Sequence, residues 1–228
     1  KATIMRGTGG APIATVDTRR RTASLACRLA ALPDTRREAE AFQMAMGRQN
    51  ATVVLAQNVS EATLQDLDQS GSLSSYRNIL FATHGVMSGA GAADEPAIVM
   101  TPGSTCDTND ESKDGLLSAS EISLLNLDAD WVILSACNTA SGAVGNQKPA
   151  FTGLVSAFFY AGARNVMASH WAVNSEASAD LVTATAAARA RGARLDDALR
   201  AAMLHMKNSK GHRAHPAFWA PYVMASIE

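Results

Sequence analysis

Three residues that can transfer protons or act as nucleophiles each follow directly after an apolar run of the sequence. They are His84, Cys137 and His170. Apolar runs of this kind predict the strands of a buried parallel sheet, and ligands bind at the edge where the carboxyl ends of such strands lie. A thiol becomes a reactive thiolate when an imidazole lies beside it. The pattern therefore predicts a site with a cysteine and a histidine at that edge.

A cysteine after a buried strand is also commonly an unreactive core residue. Two features favour chemistry: Gly85 follows His84, and the residues around Cys137 are small. Backbone N–H groups at such positions can point into a crevice and bind an oxyanion. Spacing alone leaves His170 open as the base, although Gly85 favours His84. The remaining histidines are expected to have solvated or packing roles. They are His205, His212 and His215.

The elements that position these residues alternate between strands and helices. Strands are predicted at 52–55, 78–83, 97–100, 131–136, 165–169 and 219–224. Helices are predicted at 35–46, 61–67, 119–125, 151–161, 175–191 and 195–207. This alternation indicates an α/β fold in which a mostly parallel sheet is covered by helices on both faces. The three candidate residues then stand at three strand exits.

Two pairs of residues predict capped helix starts, because a serine or threonine is followed three positions later by a glutamate. These pairs are Thr35 with Glu38, and Ser118 with Glu121. Residues 1–32 are interpreted as a loosely specified lead-in, either a linker or an edge strand, so the domain proper is expected over 33–228. The Gly-, Asp- and Ser-rich stretch 86–116 is predicted to be a surface excursion around one strand.

The composition is that of an ordinary globular domain. The chain has 228 residues, 47% of them hydrophobic and 18% charged, which fits one α/β domain. A formal charge of −1 provides no field that would recruit nucleic acid or anionic lipid. No apolar run approaches the roughly 20 residues that span a bilayer. A protein, a peptide or a small molecule is therefore the expected partner, with no direct binding to nucleic acid or membrane.

The cysteines are odd in number, widely spaced and free of CxxC pairs. They are Cys27, Cys106 and Cys137. This spacing argues against a disulfide framework or a zinc site and fits a reducing cytoplasm. The chain opens at Lys1 with neither an initiator methionine nor a signal-peptide pattern, which suggests a fragment of something longer.

An acidic run over 107–114 invites comparison with a calcium-binding loop. An EF-hand needs glycine at the sixth position and a closing glutamate, where this sequence has Ser112 and Ser118. A solvated loop is therefore the interpretation of this run. No metal and no cofactor is expected.

Six stretches, in order over nearly all of residues 32–228, carry a family pattern. They are LPDTRREAEAF (32–42), ILFATHG (79–85), DGLLSASEI (114–122), WVILSACNTASG (131–142), FTGLVSAFFYAGARNVMASHWAV (151–173) and HPAFWAPYV (215–223). On these motifs the chain resembles the CHAT family of caspase-like domains. The pairing of ATHG with LSACNTASG is the most specific part of the resemblance.

The resemblance implies a caspase-like three-layer α/β sandwich and a catalytic dyad formed by His84 and Cys137. The implied reaction is attack of the Cys137 thiolate on a peptide carbonyl, with the oxyanion held by the N–H groups of Gly85 and Cys137. His84 would then protonate the leaving amine. The family also implies a partner, either an upstream sensor or helical-repeat region or a separate regulatory protein.

Specificity is where the sequence departs from better-understood relatives. In caspases an arginine after the tryptophan of the segment like His170-Trp171-Ala172 helps bind a P1 aspartate, and in separases an aspartate stands there and helps bind a P1 arginine. Here the residue is Ala172. Metacaspases use an acidic residue two positions before the nucleophile, where this chain has Ser135. His170, Trp171, Ala172 and Ser135 are therefore predicted substrate contacts for a small or apolar P1 residue.

Two acidic residues near the start of the helix predicted at 175–191 leave another pocket open. Glu176 or Asp180 could form an acidic wall for a basic substrate residue. Acids in a first helical turn more commonly just favour the helix dipole, so a structural role is the stronger interpretation.

Three functions remain open from the sequence. The first is an active cysteine endopeptidase, cytoplasmic, acting as the effector domain of a larger bacterial signalling or defence protein. The second is a catalytically silent interaction or scaffold domain with the same fold, against which the intact HG and SAC motifs count. The third is an acyl hydrolase or transferase that acts on a small molecule.

Overall fold

The computed structural model describes residues 2–6, 25–30, 32, 34–55, 58–86, 95–102, 114–136, 151–171 and 173–227. The strands in this part of the chain are β1 (Ala2–Arg6), β2 (Ala51–Leu55), β3 (Asn78–Thr83), β4 (Gly85–Val86), β5 (Ala97–Val99), β6 (Leu116–Ser118), β7 (Trp131–Ala136), β8 (Asn165–Ser169) and β9 (Tyr222–Ser226). The α-helices are α1 (Leu25–Arg28), α2 (Thr35–Met46), α3 (Glu61–Gln69), α4 (Ala119–Ser123), α5 (Phe151–Tyr160), α6 (Ser175–Ala190) and α7 (Leu195–Lys207).

The main sheet has the strand order β2-β1-β3-β7-β8-β9. All neighbours in it are parallel except β9, which runs antiparallel to β8. One face packs against α3, α4 and α5, and the other packs against α2, α6 and α7. The predicted three-layer α/β sandwich with a mostly parallel sheet is therefore confirmed.

The central strands are apolar at successive positions because both of their faces are buried. On β3, Phe81 faces one layer and contacts Phe158, with ring centroids 5.5 Å apart. Leu80 faces the other layer. Trp131 on β7 also lies in that second layer, 6.1 Å from the ring of Phe42 on α2. This double burial explains why the sequence predicted β3, β7 and β8 at the bounds that the structure has.

A network of ion pairs joins the amino-terminal ends of β3, β7 and β8. Arg77 lies 3.1 Å from Asp130 and also pairs with Asp128. Arg164 contacts Asp128 at 2.7 Å and Asp130 at 3.0 Å. The hydrogen bond from Arg164 is the main reason that the pKa of Asp128 lies below its ordinary value. Shared partners align the starts of three neighbouring strands.

A small antiparallel sheet, β4-β5-β6, corrects the prediction of a surface excursion over 86–116. Val86, Val99 and Leu116 are buried in a core that also contains Ala26 of α1. The sequence suggested a loop because the short strands are separated by long polar stretches, and these stretches lie outside the described residues.

Strand β1 corrects the interpretation of residues 1–32. It lies between β2 and β3 and pairs with both, so it is an interior strand of the main sheet. The chain segment that supplies it therefore belongs to the domain. Strand β2 forms the sheet edge and is half-buried. Short apolar runs do not reveal their order in a sheet, because pairing partners are distant in sequence.

Strand β9 begins three residues later than predicted, at Tyr222. Residues Pro216–Phe218 form a 3-10 turn, and the Trp219 indole N–H donates to the carbonyl of Ala214 at 3.0 Å. Trp219, predicted to begin the strand, instead caps the end of this turn, whereas Tyr222 begins β9.

One of the two predicted capping boxes is present. At α4, the Ser118 N–H donates to the Glu121 carboxylate at 2.8 Å, and the Ser118 hydroxyl accepts from the Glu121 N–H at 3.3 Å. At α2 the prediction is wrong: the Thr35 hydroxyl donates to the carbonyl of Leu32 at 2.7 Å, and Glu38 is buried. Glu38 faces the sheet, which carries its carboxyl away from the start of the helix.

Gly162 follows α5 at a point where its backbone packs closely against Leu127. Its φ is +105°, and an added Cβ would lie 2.2 Å from the carbonyl oxygen of Leu127. Gly162→Ala is expected to lower the free energy of unfolding by about 3 kcal/mol or more, because strain and a backbone clash combine. Gly192→Ala is the control, since Gly192 has φ +95° with no neighbour within 4 Å. It should cost about 1 kcal/mol in urea unfolding. Equal losses would contradict the assigned contact.

Candidate functional site

Of the three candidate residues, His84 and His170 lie directly beyond parallel strands of the main sheet. Strands β3 and β7 pair along their whole length, and the last pair is Thr83 with Ala136. His84 follows Thr83 directly. Cys137 follows Ala136 in the sequence and lies outside the described residues. Strand β8 is the next neighbour of β7, and its end leads to His170. The carboxyl ends of β3, β7 and β8 therefore lie side by side at one edge of the sheet, as predicted, and the description of β7 ends at Ala136.

The imidazole of His84 is held in a defined orientation. The side chain is 9% exposed, and its Nε2 lies 2.7 Å from the carbonyl oxygen of Ala30. A carbonyl can only accept, so Nε2 carries the proton of this hydrogen bond. In the neutral ring the lone pair then lies on Nδ1, which is buried and has no hydrogen-bond partner among the described residues. The geometry leaves Nδ1 as the basic atom.

The carbonyl of Ala30 is supplied by a segment that the sequence did not single out. The segment starts with α1, where Ala26 is buried against the small sheet. The packing is close: a Cβ on Gly115 would lie 2.8 Å from the Cβ of Ala26. No side-chain signal could have identified this contact, because the group that meets His84 is a backbone carbonyl.

Cys27 lies on the same segment and is disulfide-bonded. The interpretation that the cysteine spacing argues against disulfides is wrong for this residue. Spacing carries little information here, because folding brings disulfide partners together from distant positions. Since stable disulfides are rare in a reducing cytoplasm, the bond also removes the reason that the spacing gave for a cytoplasmic location.

Gly85 opens the small sheet directly after His84. The N–H of Val99 donates to the carbonyl of His84 at 2.8 Å, and Gly85 pairs with Ile98 at the next position. Hydrogen-bonded and non-hydrogen-bonded pairs alternate in an antiparallel ladder. The N–H of Gly85 therefore points away from β5, as a donor for a bound oxyanion must.

The predicted substrate contacts fall into two environments. His170 and Trp171 are exposed just beyond β8, with 41% of Trp171 accessible to solvent. Ala172 lies outside the described residues. Ser135 is only 2% exposed, and its Oγ lies 2.7 Å from Oγ of Ser178 on α6. The structure brings Ser135 into the layer beneath the edge, whereas His170 and Trp171 face solvent.

Glu176 and Asp180 are engaged by arginines. Arg213 pairs with both carboxylates, and Arg37 of α2 lies 3.2 Å from Asp180. The hydrogen bond from Arg213 is the main reason that the pKa of Glu176 lies below its ordinary value. A basic substrate residue would have to displace these arginines to reach the two carboxylates. A structural role of Glu176 is therefore better supported than substrate binding.

Glu38, which the sequence pattern predicts to be part of a helix cap, is a buried residue near the site. Its carboxyl is 2% exposed, and Oε1 has no hydrogen-bond partner among the described residues. Burial raises the pKa of Glu38 from 4.5 to about 8, and the nearby charge of Arg37 opposes this rise. The carboxyl is therefore largely neutral at pH 7.

Two further structural features bear on function: clusters that could bind a metal ion and helices that could span a membrane. Among the described residues, no group of histidines, cysteines and carboxylates has the arrangement that would hold a metal ion. Within the same residues, none of the helices is both long and apolar enough to cross a bilayer.

The raised pKa of Glu38 makes stability depend on pH. Between about pH 4.5 and 8, Glu38 keeps its proton in the folded protein and loses it in the unfolded chain. The contribution of Glu38 to the free energy of unfolding is therefore full below about pH 4.5 and is lost as the pH rises through 8. Glu38→Gln should remove a slope of roughly 1.4 kcal/mol per pH unit from the free energy of unfolding. Urea unfolding across this range measures it. The exposed Glu40 of the same helix provides the control, Glu40→Gln. Parallel slopes in the wild type and Glu38→Gln would refute the assignment.

Comparison with known proteins agrees with the fold and with the sequence motifs. The model of the CHAT domain family matches residues 5–226, nearly the whole chain. No curated protein matches the sequence significantly. The matched region includes β3, β7 and β8 and therefore both motifs that carry His84 and Cys137. The chain belongs to the CHAT domain family, whose caspase-like fold relates it to cysteine peptidases.

Proposed function

We propose that this protein is a cysteine endopeptidase in which Cys137 is the nucleophile and His84 is the acid and base. The observation that carries the proposal is the orientation of His84. Its Nε2 is held by the carbonyl of Ala30 at 2.7 Å, which leaves Nδ1 as the basic atom at the exit of β3. The neighbouring strand β7 leads directly into Cys137.

The reaction begins when Nδ1 of His84 takes the proton from the thiol of Cys137. The thiolate attacks the carbonyl carbon of a peptide bond and forms a tetrahedral intermediate. Protonated His84 then donates to the leaving nitrogen as the C–N bond breaks, and a thioester remains on Cys137. A water molecule, deprotonated by His84, attacks the thioester and releases the carboxylic acid and the thiolate.

The carbonyl of Ala30 supports both halves of this cycle. It fixes the tautomer of the resting imidazole, and it accepts a stronger hydrogen bond from Nε2 once the ring becomes positively charged. A buried imidazolium without such a partner would be costly to form. Because the carbonyl belongs to the backbone, its position depends on how the segment with α1 packs on the small sheet.

The oxyanion of the intermediate is proposed to bind the N–H groups of Gly85 and Cys137. The ladder between β4 and β5 supports the first donor, since it directs the N–H of Gly85 away from β5. Preorganised donors of this kind typically contribute 10²–10³-fold in rate, about 3–4 kcal/mol.

The substrate is proposed to lie along the end of β8. Exposed Trp171, next to exposed His170, offers a flat apolar surface for a substrate side chain. The two acids nearby are paired with Arg213, so a small or apolar P1 residue is favoured over a basic one. Family membership further supports a role as the effector domain of a larger regulated protein.

Cleavage of a diverse peptide library, read by mass spectrometry, tests the proposal. The wild-type chain and the longest natural protein that contains it are each incubated with the library. Cys137→Ala is expected to reduce kcat/KM by about 10⁴-fold or more, because the nucleophile is lost. His84→Ala is expected to reduce it by roughly 10²–10⁴-fold. The recovered P1 residues report the pocket directly.

The matched control is His205→Ala, because His205 is an exposed histidine on α7. This variant should cleave as the wild type does. Cleavage by Cys137→Ala at the wild-type rate would overturn the assignment of the nucleophile. If neither the chain nor the longer natural protein cleaves any peptide, although both are folded and contain an intact Cys137, the result would instead favour an interaction domain that has kept the fold.

A further inference from the structure

The strand that delivers His84 passes from one sheet to the other within a single residue. Thr83 ends β3 in the main sheet, and Gly85 begins β4 in the small sheet, so His84 lies between the two. The orientation of the imidazole depends on the direction that the backbone takes at this joint. Contacts that fix the joint therefore bear on the chemistry of His84.

Val99 of β5 makes two of these contacts through its backbone. Its N–H donates to the carbonyl of His84 at 2.8 Å. Its carbonyl accepts from the side-chain hydroxyl of Thr83 at 2.6 Å, in a buried hydrogen bond. The side chain of Thr83 is 1% exposed. Two successive residues of the strand exit are thus bound to the backbone of one residue of β5.

The hydroxyl of Thr83 takes a place that a backbone group normally holds. At a hydrogen-bonded pair of an antiparallel ladder, the two residues exchange both of their N–H···O bonds. His84 and Val99 stand at such a position, but among the described backbone groups the N–H of His84 makes no return bond to the carbonyl of Val99. The Thr83 hydroxyl satisfies that carbonyl instead. The chain can therefore turn out of the ladder at His84 without leaving a buried acceptor unpaired.

Val99 also packs against the segment that orients the ring. Its side chain is 2% exposed and lies in one buried cluster with Ala26 of α1. Four residues after Ala26, the carbonyl of Ala30 meets Nε2 of His84 at 2.7 Å. The backbone of His84 and the acceptor of its ring are therefore both positioned relative to Val99, and the hydroxyl of Thr83 holds Val99 in place.

Burial alone does not explain a threonine at the end of β3. The four residues Ile79–Ala82 before it are apolar and fully buried. Valine has nearly the shape of threonine and is at least as common in strands, and it carries no hydroxyl that is costly to bury. The bond to the carbonyl of Val99 gives the hydroxyl of Thr83 a specific role in the fold.

We propose that Thr83 is a positioning residue of the catalytic centre, whose hydroxyl holds Val99 and thereby keeps His84 in the single tautomer with the proton on Nε2. Without the hydroxyl, the carbonyl of Val99 is a buried acceptor without its partner, and β5 must shift to recover one. The ring then loses its fixed acceptor, and the proton is shared between Nδ1 and Nε2. This role rests on the proposed function in assigning His84 as the acid and base.

NMR of the His84 imidazole measures the tautomer without a substrate. Long-range proton–nitrogen correlations of the intact chain, labelled at histidine and recorded at alkaline pH, distinguish the ring nitrogen with the proton from the one without it. The wild type is expected to show one tautomer, with the proton on Nε2. Thr83→Val keeps the shape of the side chain but lacks the hydroxyl, so it should show both tautomers. Thr83→Ser keeps the hydroxyl and should restore the wild-type spectrum.

The matched control is Thr185→Val. Thr185 is also fully buried, and its hydroxyl donates to the carbonyl of Leu181 at 2.8 Å within α6. This variant loses a comparable buried hydrogen bond in another element, so His84 should keep its single tautomer. Circular dichroism checks that each variant is folded. If Thr83→Val does not fold, Thr83→Ala, which also lacks the hydroxyl, takes its place.

Kinetics give a second readout where peptides are cleaved. Thr83→Val is expected to lower kcat by roughly 10–10²-fold with little change in KM, because a misplaced base slows the chemical step and leaves the substrate surface intact. Thr83→Ser and Thr185→Val should keep the kcat of the wild type. A role in stability alone would not make kcat follow the hydroxyl of Thr83.

The outcomes separate this inference from the proposed function. A single Nε2 tautomer in Thr83→Val, or both tautomers in the wild type, would overturn the role of Thr83 even if peptides are cleaved. Both tautomers in Thr83→Ser or in Thr185→Val would also overturn it, because the hydroxyl of Thr83 would then not be the cause. A tautomer that depends on this hydroxyl alone would support the role even if no peptide is cleaved, because the spectrum needs no substrate.

Discussion

The register between β3 and β7 is the constraint on which the site depends. Six consecutive pairs, from Asn78 with Trp131 to Thr83 with Ala136, fix the two strand ends at the same level. A slip by one residue would turn every side chain of β7 to the opposite face, so that Trp131 would leave the layer where it packs against Phe42. Because both faces are apolar, the fit of individual side chains in the two layers specifies the register. The ion pairs of Arg77 and Arg164 hold the opposite ends of the strands.

The histidine is oriented by a different part of the molecule from the one that delivers it. Strand β3 brings His84 to the edge, and the segment of residues 25–30 supplies the carbonyl that fixes its ring. That segment is held by the small sheet, where Ala26 packs against Val86 and Val99. The small sheet thus contributes to the site twice, through Ala30 and through the outward N–H of Gly85. Its strands are short, and tertiary packing is what stabilises them.

Several polar side chains are buried between the main sheet and the layer of α2 and α6, at a cost in stability. A core made only of apolar residues would avoid the cost of burying Glu38, Ser135 and Ser178. The structure instead retains the buried carboxyl of Glu38, whose Oε1 has no hydrogen-bond partner among the described residues. Unsatisfied buried groups are rare in folded proteins and tend to persist where a site needs them. Arg213 pairs with Glu176 and Asp180 of α6, and Arg37 of α2 pairs with Asp180.

The sequence by itself determined the elements whose burial is uniform or periodic. The central strands, the long helices and the Ser118 capping box follow from local patterns, and the strand exits identified His84 together with its motif partner Cys137. Folding decided which distant groups meet. The interior place of β1, the carbonyl of Ala30 on His84, the disulfide of Cys27 and the turn of Glu38 from a helix start into the core all join residues far apart in the chain. Local propensity carries no record of such contacts, because their free energy exists only once the layers have packed.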